Sequence, residues 1–111
     1  MSGKVTVPDI LARKGGQKLT MVTAYDFATA RIASEAGADM ILVGDSLANV
    51  VLGFESTLDV DLDIMVHHTA AVARSEPQPL LVGDMPWMSY HVSVEDGVRN
   101  AGRLVREGGA E

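Results

Sequence analysis

The chain has no cysteine, which excludes disulfides, thiolate metal sites and a cysteine nucleophile and fits a reducing cytosol. Basic residues are few: nine Lys and Arg against fifteen Asp and Glu give a formal net charge of −6. They are scattered, so no basic stripe is available for nucleic acid or an anionic lipid surface. Long apolar runs are missing as well. No stretch approaches the ~18 apolar residues of a membrane span, and Met1 to Gly16 lacks the apolar core of a targeting segment. What remains is 111 residues, 47% hydrophobic and 22% charged, the composition of a folded globular domain that handles small molecules. The expected location is the cytoplasm.

Short apolar runs alternate with longer stretches of helical period. Leu19 to Thr23, Met40 to Val43 and Leu80 to Val82 read as strands. Helices are expected from Asp26 to Ala36, with Asp26 as N-cap and Gly37 past the end, and from Leu62 to Ser75, where Asp59, Asp61 and Asp63 crowd the start. A third is expected from Val94 to Glu107, with Ser93 and Asp96 at capping-box spacing and Gly108-Gly109 closing it. A short leading helix fits Pro8 to Lys14, ended by Gly15-Gly16. Such alternation argues for an α/β fold with a parallel sheet and crossover helices.

Two internal echoes sharpen this reading. Ile41-Leu42-Val43-Gly44-Asp45 returns as Leu80-Leu81-Val82-Gly83-Asp84, so two buried strands each end in Gly-Asp. Glu35-Ala36-Gly37-Ala38-Asp39, leading from helix to strand, returns as Glu107-Gly108-Gly109-Ala110-Glu111, which announces a fourth strand. Three strands cannot close a (β/α)8 barrel, which takes ~250 residues. The expectation is therefore one partial barrel domain over residues 1–111, cut after about three strands, with an N-terminal extension over 1–18 and three βα units over 19–111.

Functional groups gather at the C-terminal ends of parallel strands. Asp45 and Asp84 stand there, one per strand, and neighbouring strands lie ~4.8 Å apart. Two convergent carboxylates suit Mg²⁺, which takes oxygen ligands and keeps several waters; without Cys, and with no His beside either Asp, zinc fits less well. Ser46 is expected to open a short helix through Val50, where its hydroxyl and nearby backbone N–H groups would hold an anion such as a carboxylate. A metal beside an anion grip suits an α-keto acid, whose adjacent C–H the metal would acidify. Against this stands the ordinary role of Asp after Gly as a cap or turn residue. The repetition at two strand ends favours the site.

The motifs, in order, resemble the ketopantoate hydroxymethyltransferase family: Thr23-Ala24-Tyr25-Asp26, Val43-Gly44-Asp45-Ser46, Gly53-Phe54-Glu55-Ser56-Thr57-Leu58, His68-Thr69-Ala70-Ala71-Val72 and Asp84-Met85-Pro86-Trp87-Met88-Ser89-Tyr90. The resemblance runs from Leu19 to Glu111. It implies a (β/α)8 barrel that transfers a hydroxymethyl group from 5,10-methylenetetrahydrofolate to 3-methyl-2-oxobutanoate, giving 2-dehydropantoate in pantothenate biosynthesis. It further implies Mg²⁺ ligands at Asp45 and Asp84, which also lie against the keto acid, a carboxylate-binding Ser46, and a large homo-oligomer, commonly a decamer. Glu55 stands where members more often have Asp, and Trp87 where Phe is usual. The family's substrate-binding Lys, a further Glu near the metal and the general-base Glu belong to later strands, so this chain is expected to be inactive alone.

Other residues carry competing readings. Asp26 is a cap or shapes the mouth of the site together with Tyr25. His67 and His68 lie mid-helix, for packing, solvation or a ligand role, and His91 lies near the third strand's loop, at the surface or by the substrate. Met85, Trp87, Met88 and Tyr90 line a substrate pocket, form a lid or make an oligomer contact. Asp59, Asp61 and Asp63 lack the spacing of a calcium loop, and Gly44, Gly53 and Gly83 read as backbone geometry. Two rival functions are a Mg²⁺-dependent keto-acid barrel of the phosphoenolpyruvate mutase and isocitrate lyase type, and a non-catalytic truncated product with sticky apolar faces.

Overall fold

The structure, a computed structural model, describes residues 3–111; Met1 and Ser2 of the expected N-terminal extension lie outside them. Three short apolar runs pair as β1 (Met21–Thr23), β2 (Met40–Val43) and β3 (Leu80–Gly83), all parallel, in the order β1-β2-β3. Parallel neighbours need crossovers. α2 (Phe27–Glu35) joins β1 to β2, while α3 (Leu47–Val50) and α4 (Leu62–Ala73) join β2 to β3; α1 (Val7–Ala12) precedes the sheet and α5 (Val94–Arg106) follows it. The α/β class and the open three-stranded sheet match the sequence reading of an N-terminal portion of a (β/α) barrel.

Local chemistry sets the helix starts. Asp26 accepts the Thr29 N–H at 2.8 Å to open α2, Asp61 accepts the Ile64 N–H at 2.9 Å to open α4, and Ser93 accepts the Asp96 N–H at 3.1 Å to open α5. Each satisfies a donor that the helix cannot. α1 starts at Val7 and not at Pro8, because Thr6 and Asp9 form a reciprocal capping box one residue earlier. It also stops at Ala12, ahead of Lys14. α4 ends at Ala73 before the expected Ser75; Glu76 leaves helical backbone with φ 51° just before Pro77, whose ring disfavours the helical region for its predecessor.

β1 is the larger correction. It spans three residues, not five, and all three are exposed at one edge of the sheet. The core lies on the helix side of β2 and β3, where Ile41, Val43 and Leu81 pack with Ala30, Ala33, Met65, Val72 and Leu104. On the opposite face the register aligns Thr23, Leu42 and Val82, none of them fully buried.

The N-terminal segment braces the far end of the strands. Val5 donates its N–H to the Gln78 carbonyl, and Lys4 reaches the Pro77 and Pro79 carbonyls and the Glu111 carboxylate. The echo between residues 35–39 and 107–111 is structural too: Gly37 and Gly109 share positive φ, 84° and 76°. After Gly109 the chain runs beside β3, with the Glu111 N–H on the Leu81 carbonyl at 2.9 Å. Among the described residues no helix is long and apolar enough to cross a membrane.

Candidate functional site

The residues just past the strand ends are Tyr25 after β1, Asp45 and Ser46 after β2, and Asp84 after β3. The two Gly-Asp ends are not level. Val43 pairs with Gly83, so Asp84 sits opposite Gly44 and Asp45 lies one residue beyond. A stagger of about one residue per strand is what a (β/α)8 barrel, with shear of about 8, requires. Its local consequence is a bond between the two motifs: Asp84 accepts the Asp45 N–H on Oδ2 at 3.0 Å, while its own N–H donates to the Val43 carbonyl at 3.0 Å.

Gly44 lies at the centre. A Cβ there would meet Asp84 Oδ2 and Ser46 Oγ, each at 3.4 Å. The carboxylate and the hydroxyl therefore converge over one bare backbone position, where a methyl group would touch both. Ser46 caps α3 without spending its hydroxyl on the backbone, and that hydroxyl meets the Tyr25 phenol at 3.0 Å. The structure thus brings Ser46 and Asp84 together, joins Asp45 to Asp84 through its N–H, and places Tyr25, expected at the mouth of the site, beside Ser46.

The electrostatics are those of an unneutralised acidic pair. Burial and the neighbouring Asp84 charge push the Asp45 carboxyl above the ordinary carboxylate range. Among the described residues neither Asp has a Lys or Arg partner. No group of three or more His, Cys, Asp or Glu side chains is placed to hold a metal among them. The available donors are therefore two carboxylates, an all-oxygen set that fits Mg²⁺ with much of its shell left to water and substrate.

Several expectations change. The amides of Leu47, Ala48 and Asn49 already donate to the carbonyls of Gly44, Asp45 and Ser46, so the turn's backbone does not offer the donors expected for an anion, and the Ser46 hydroxyl is what the turn leaves free of the backbone. Asp26 is an N-cap. Of the acidic triplet, Asp61 is the cap of α4, Asp63 lies in its first turn and pairs with Arg103 at 2.9 Å, and Asp59 ends a separate turn before it. His91 accepts the Met88 N–H and stacks on Tyr90, closing its own loop. Trp87 and Met88 line a groove with Asp61, Asn100 and Arg103; Asp45, Ser46 and Asp84 are not part of it. Met85 packs on the core instead. Sequence reasoning missed that His68 bonds the Tyr25 carbonyl through Nδ1 at 2.8 Å, a contact between residues 43 positions apart that no local pattern signals.

The profile of the ketopantoate hydroxymethyltransferase family matches residues 4–111. The chain belongs to that family. Among curated relatives, it is 55% identical over 109 residues to the 3-methyl-2-oxobutanoate hydroxymethyltransferase of Moorella thermoacetica, covering 97% of this chain and 40% of the relative. It is 58% identical over 106 residues to that of Hyperthermus butylicus, covering 95% and 37%, and 54% identical over 112 residues to that of Pelobacter propionicus, covering 100% and 42%. The chain spans about 40% of the length of the curated relatives it matches. Within ketopantoate hydroxymethyltransferases the relatives are named as transferases, which sets this chain apart from the lyase-type barrels raised as a rival.

Proposed function

We propose that this chain supplies the metal and keto-acid half of a hydroxymethyltransferase site, as one partial barrel domain. The reaction is transfer of a hydroxymethyl group from 5,10-methylenetetrahydrofolate to 3-methyl-2-oxobutanoate, giving 2-dehydropantoate for pantothenate biosynthesis in the cytoplasm. The carrying observation is the convergence of Asp84 Oδ2 and Ser46 Oγ over Gly44, with the Asp45 N–H bound to the same Asp84 oxygen.

Asp45 and Asp84 are the residues that would hold Mg²⁺, and the ion when bound would withdraw electron density from the keto acid and acidify its C–H. The remaining contributions are the chain's own. The Asp45 N–H orients the Asp84 carboxylate through Oδ2. Ser46 donates to the keto-acid carboxylate, and glycine at position 44 keeps the approach open. The full-length enzyme acts as a homo-oligomer, a decamer in our reading, and this chain alone binds without turning over.

The test joins this chain to the remaining part of the Moorella thermoacetica relative and assays transfer. Turnover is expected from the chimaera and absent from the 111-residue chain, and Asp84→Asn should cut the chimaera's rate at least 100-fold, roughly the loss of one strong transition-state contact. Undiminished turnover in the Asp84→Asn chimaera would contradict the assignment.

A further inference from the structure

Ser46 presents its proton to an anion more strongly, and in a fixed direction, when another donor occupies its lone pair and holds its rotamer. The Tyr25 phenol, 3.0 Å from Ser46 Oγ, is placed to do both. Yet Tyr25 follows a strand of three exposed residues at the sheet edge, where the backbone has little to hold it. Three contacts compensate. The Ala24 N–H donates to the Leu42 carbonyl at 3.2 Å, Asp26 caps α2 through Thr29, and His68 on α4 bonds the Tyr25 carbonyl at 2.8 Å. The first two secure the neighbours of Tyr25. Tyr25 itself rests its ring on the core, and among the described residues His68 is the side chain that bonds its backbone.

A carbonyl oxygen accepts and cannot donate, so the His68 ring must carry its proton on Nδ1. We infer that His68 is a positioning residue for the site: its Nδ1–H holds the Tyr25 carbonyl, the Tyr25 phenol donates to Ser46 Oγ, and the Ser46 proton is thereby aimed at the substrate carboxylate. This rests on the reading that Ser46 binds that carboxylate. Hydroxyls bonded in series polarise one another, so the last donor is stronger than serine alone. The chain passes no proton and breaks no bond; it orients. It also explains why His68 is half-buried against the loop while its neighbour His67 is exposed.

The experiment uses the whole 111-residue chain. Long-range ¹⁵N–¹H spectra at a pH well above the ordinary histidine value of about 6.5 report the His68 tautomer without any ligand. The expected state has Nδ1 protonated and Nε2 bare, in wild type and in Tyr25→Phe alike, since the acceptor is backbone. An Nε2–H ring overturns the inference.

Binding of 3-methyl-2-oxobutanoate in the presence of Mg²⁺, followed by calorimetry, then reads the consequence. Tyr25→Phe should weaken binding by about 5- to 10-fold, the worth of a hydrogen bond of about 1–1.5 kcal/mol. His68→Leu should weaken it comparably, His68→Asn should restore it, because its amide N–H stands near the place of Nδ1, and Tyr25→Phe/His68→Leu should be no weaker than Tyr25→Phe alone. If Ser46→Ala weakens binding while Tyr25→Phe and His68→Leu do not, the relay fails and the site reading stands. If Ser46→Ala cannot be told from wild type, the site reading fails and takes the relay with it.

Discussion

Thr69 shows how finely single side chains are placed in this chain. It is fully buried, and its hydroxyl has no hydrogen-bond partner among the described residues. A Cβ on Gly83 would lie 3.4 Å from its Oγ1, and one on Gly108 would lie 3.2 Å from its Cγ2. Thr69 therefore fills the space where α4 meets β3 and the end of α5, through its shape and not its polarity. Mutational data put the cost of burying an unbonded hydroxyl at about 1–3 kcal/mol. Thr69→Val keeps the shape and should leave stability unchanged or raise it by about 1 kcal/mol, read from the urea midpoint; a loss of that size would mean that the hydroxyl is bonded after all. At the same scale the candidate site was partly legible. The repeated Gly-Asp ends pointed to Asp45 and Asp84, and Ser46 followed from its place in the turn. The Tyr25 and His68 contacts were not legible, because they join residues remote in sequence whose approach depends on how α4 lies against the sheet.

Among the elements, the helices were the most legible, since a cap is a contact between residues three apart. Asp26, Asp61 and Ser93 act as their positions suggested. Strand limits were less legible because β1 owes its length to what lies beside it. Its start is held by Asp39, which accepts the Thr20 N–H at 2.8 Å and faces Arg13 at 3.4 Å. The Thr20 N–H, with the Arg13 charge and the Thr20 hydroxyl, holds the Asp39 carboxyl below its ordinary range. A lowered carboxylate pKa stabilises the fold above the unfolded value of about 3.9 and ceases to do so as pH falls through the folded value. Asp39→Asn should therefore lower the thermal midpoint at neutral pH, with the gap to wild type closing below about pH 4. A gap that persists unchanged in acid would show that the charge is immaterial.

The turn after α5 gives the matching prediction for a helix end. Gly109 has φ 76°, and a Cβ there would stand 2.7 Å from that of Ala73. Gly109→Ala must both strain the backbone and push α5 from α4, for a loss of more than about 1 kcal/mol in chemical denaturation. Gly102, with open space around its Cβ position, should instead tolerate alanine and gain helix propensity.

For the molecule as a whole, the sequence showed the fold class but not the stagger of the sheet. Gly-Asp repeats imply level strand ends; pairing of Val43 with Gly83 sets Asp45 one residue higher, and this offset lets its N–H reach Asp84. Nor did the periodicity of α5 show which of its apolar residues stay uncovered. Val94, Val98 and Val105 are 82%, 68% and 58% exposed, and Val105 lines a groove of about 210 Å³ together with Val82, Met85, Ala101 and Leu104. Contiguous apolar surface of this kind promotes association. Sedimentation should show concentration-dependent self-association of the chain, reduced in Val98→Lys/Val105→Lys; a wild-type chain that stays monomeric while the variant does too would contradict it.

We propose that Asp45, Ser46 and Asp84 form one metal and keto-acid site within this chain. Calorimetric titration of Mg²⁺ into the chain, with and without 3-methyl-2-oxobutanoate, tests it most directly. Each ligand should tighten the other, by the reciprocity that linked binding requires, and the coupling should disappear in Asp45→Asn and in Asp84→Asn. Coupling that survives both substitutions, or Mg²⁺ binding that ignores the keto acid, would contradict it.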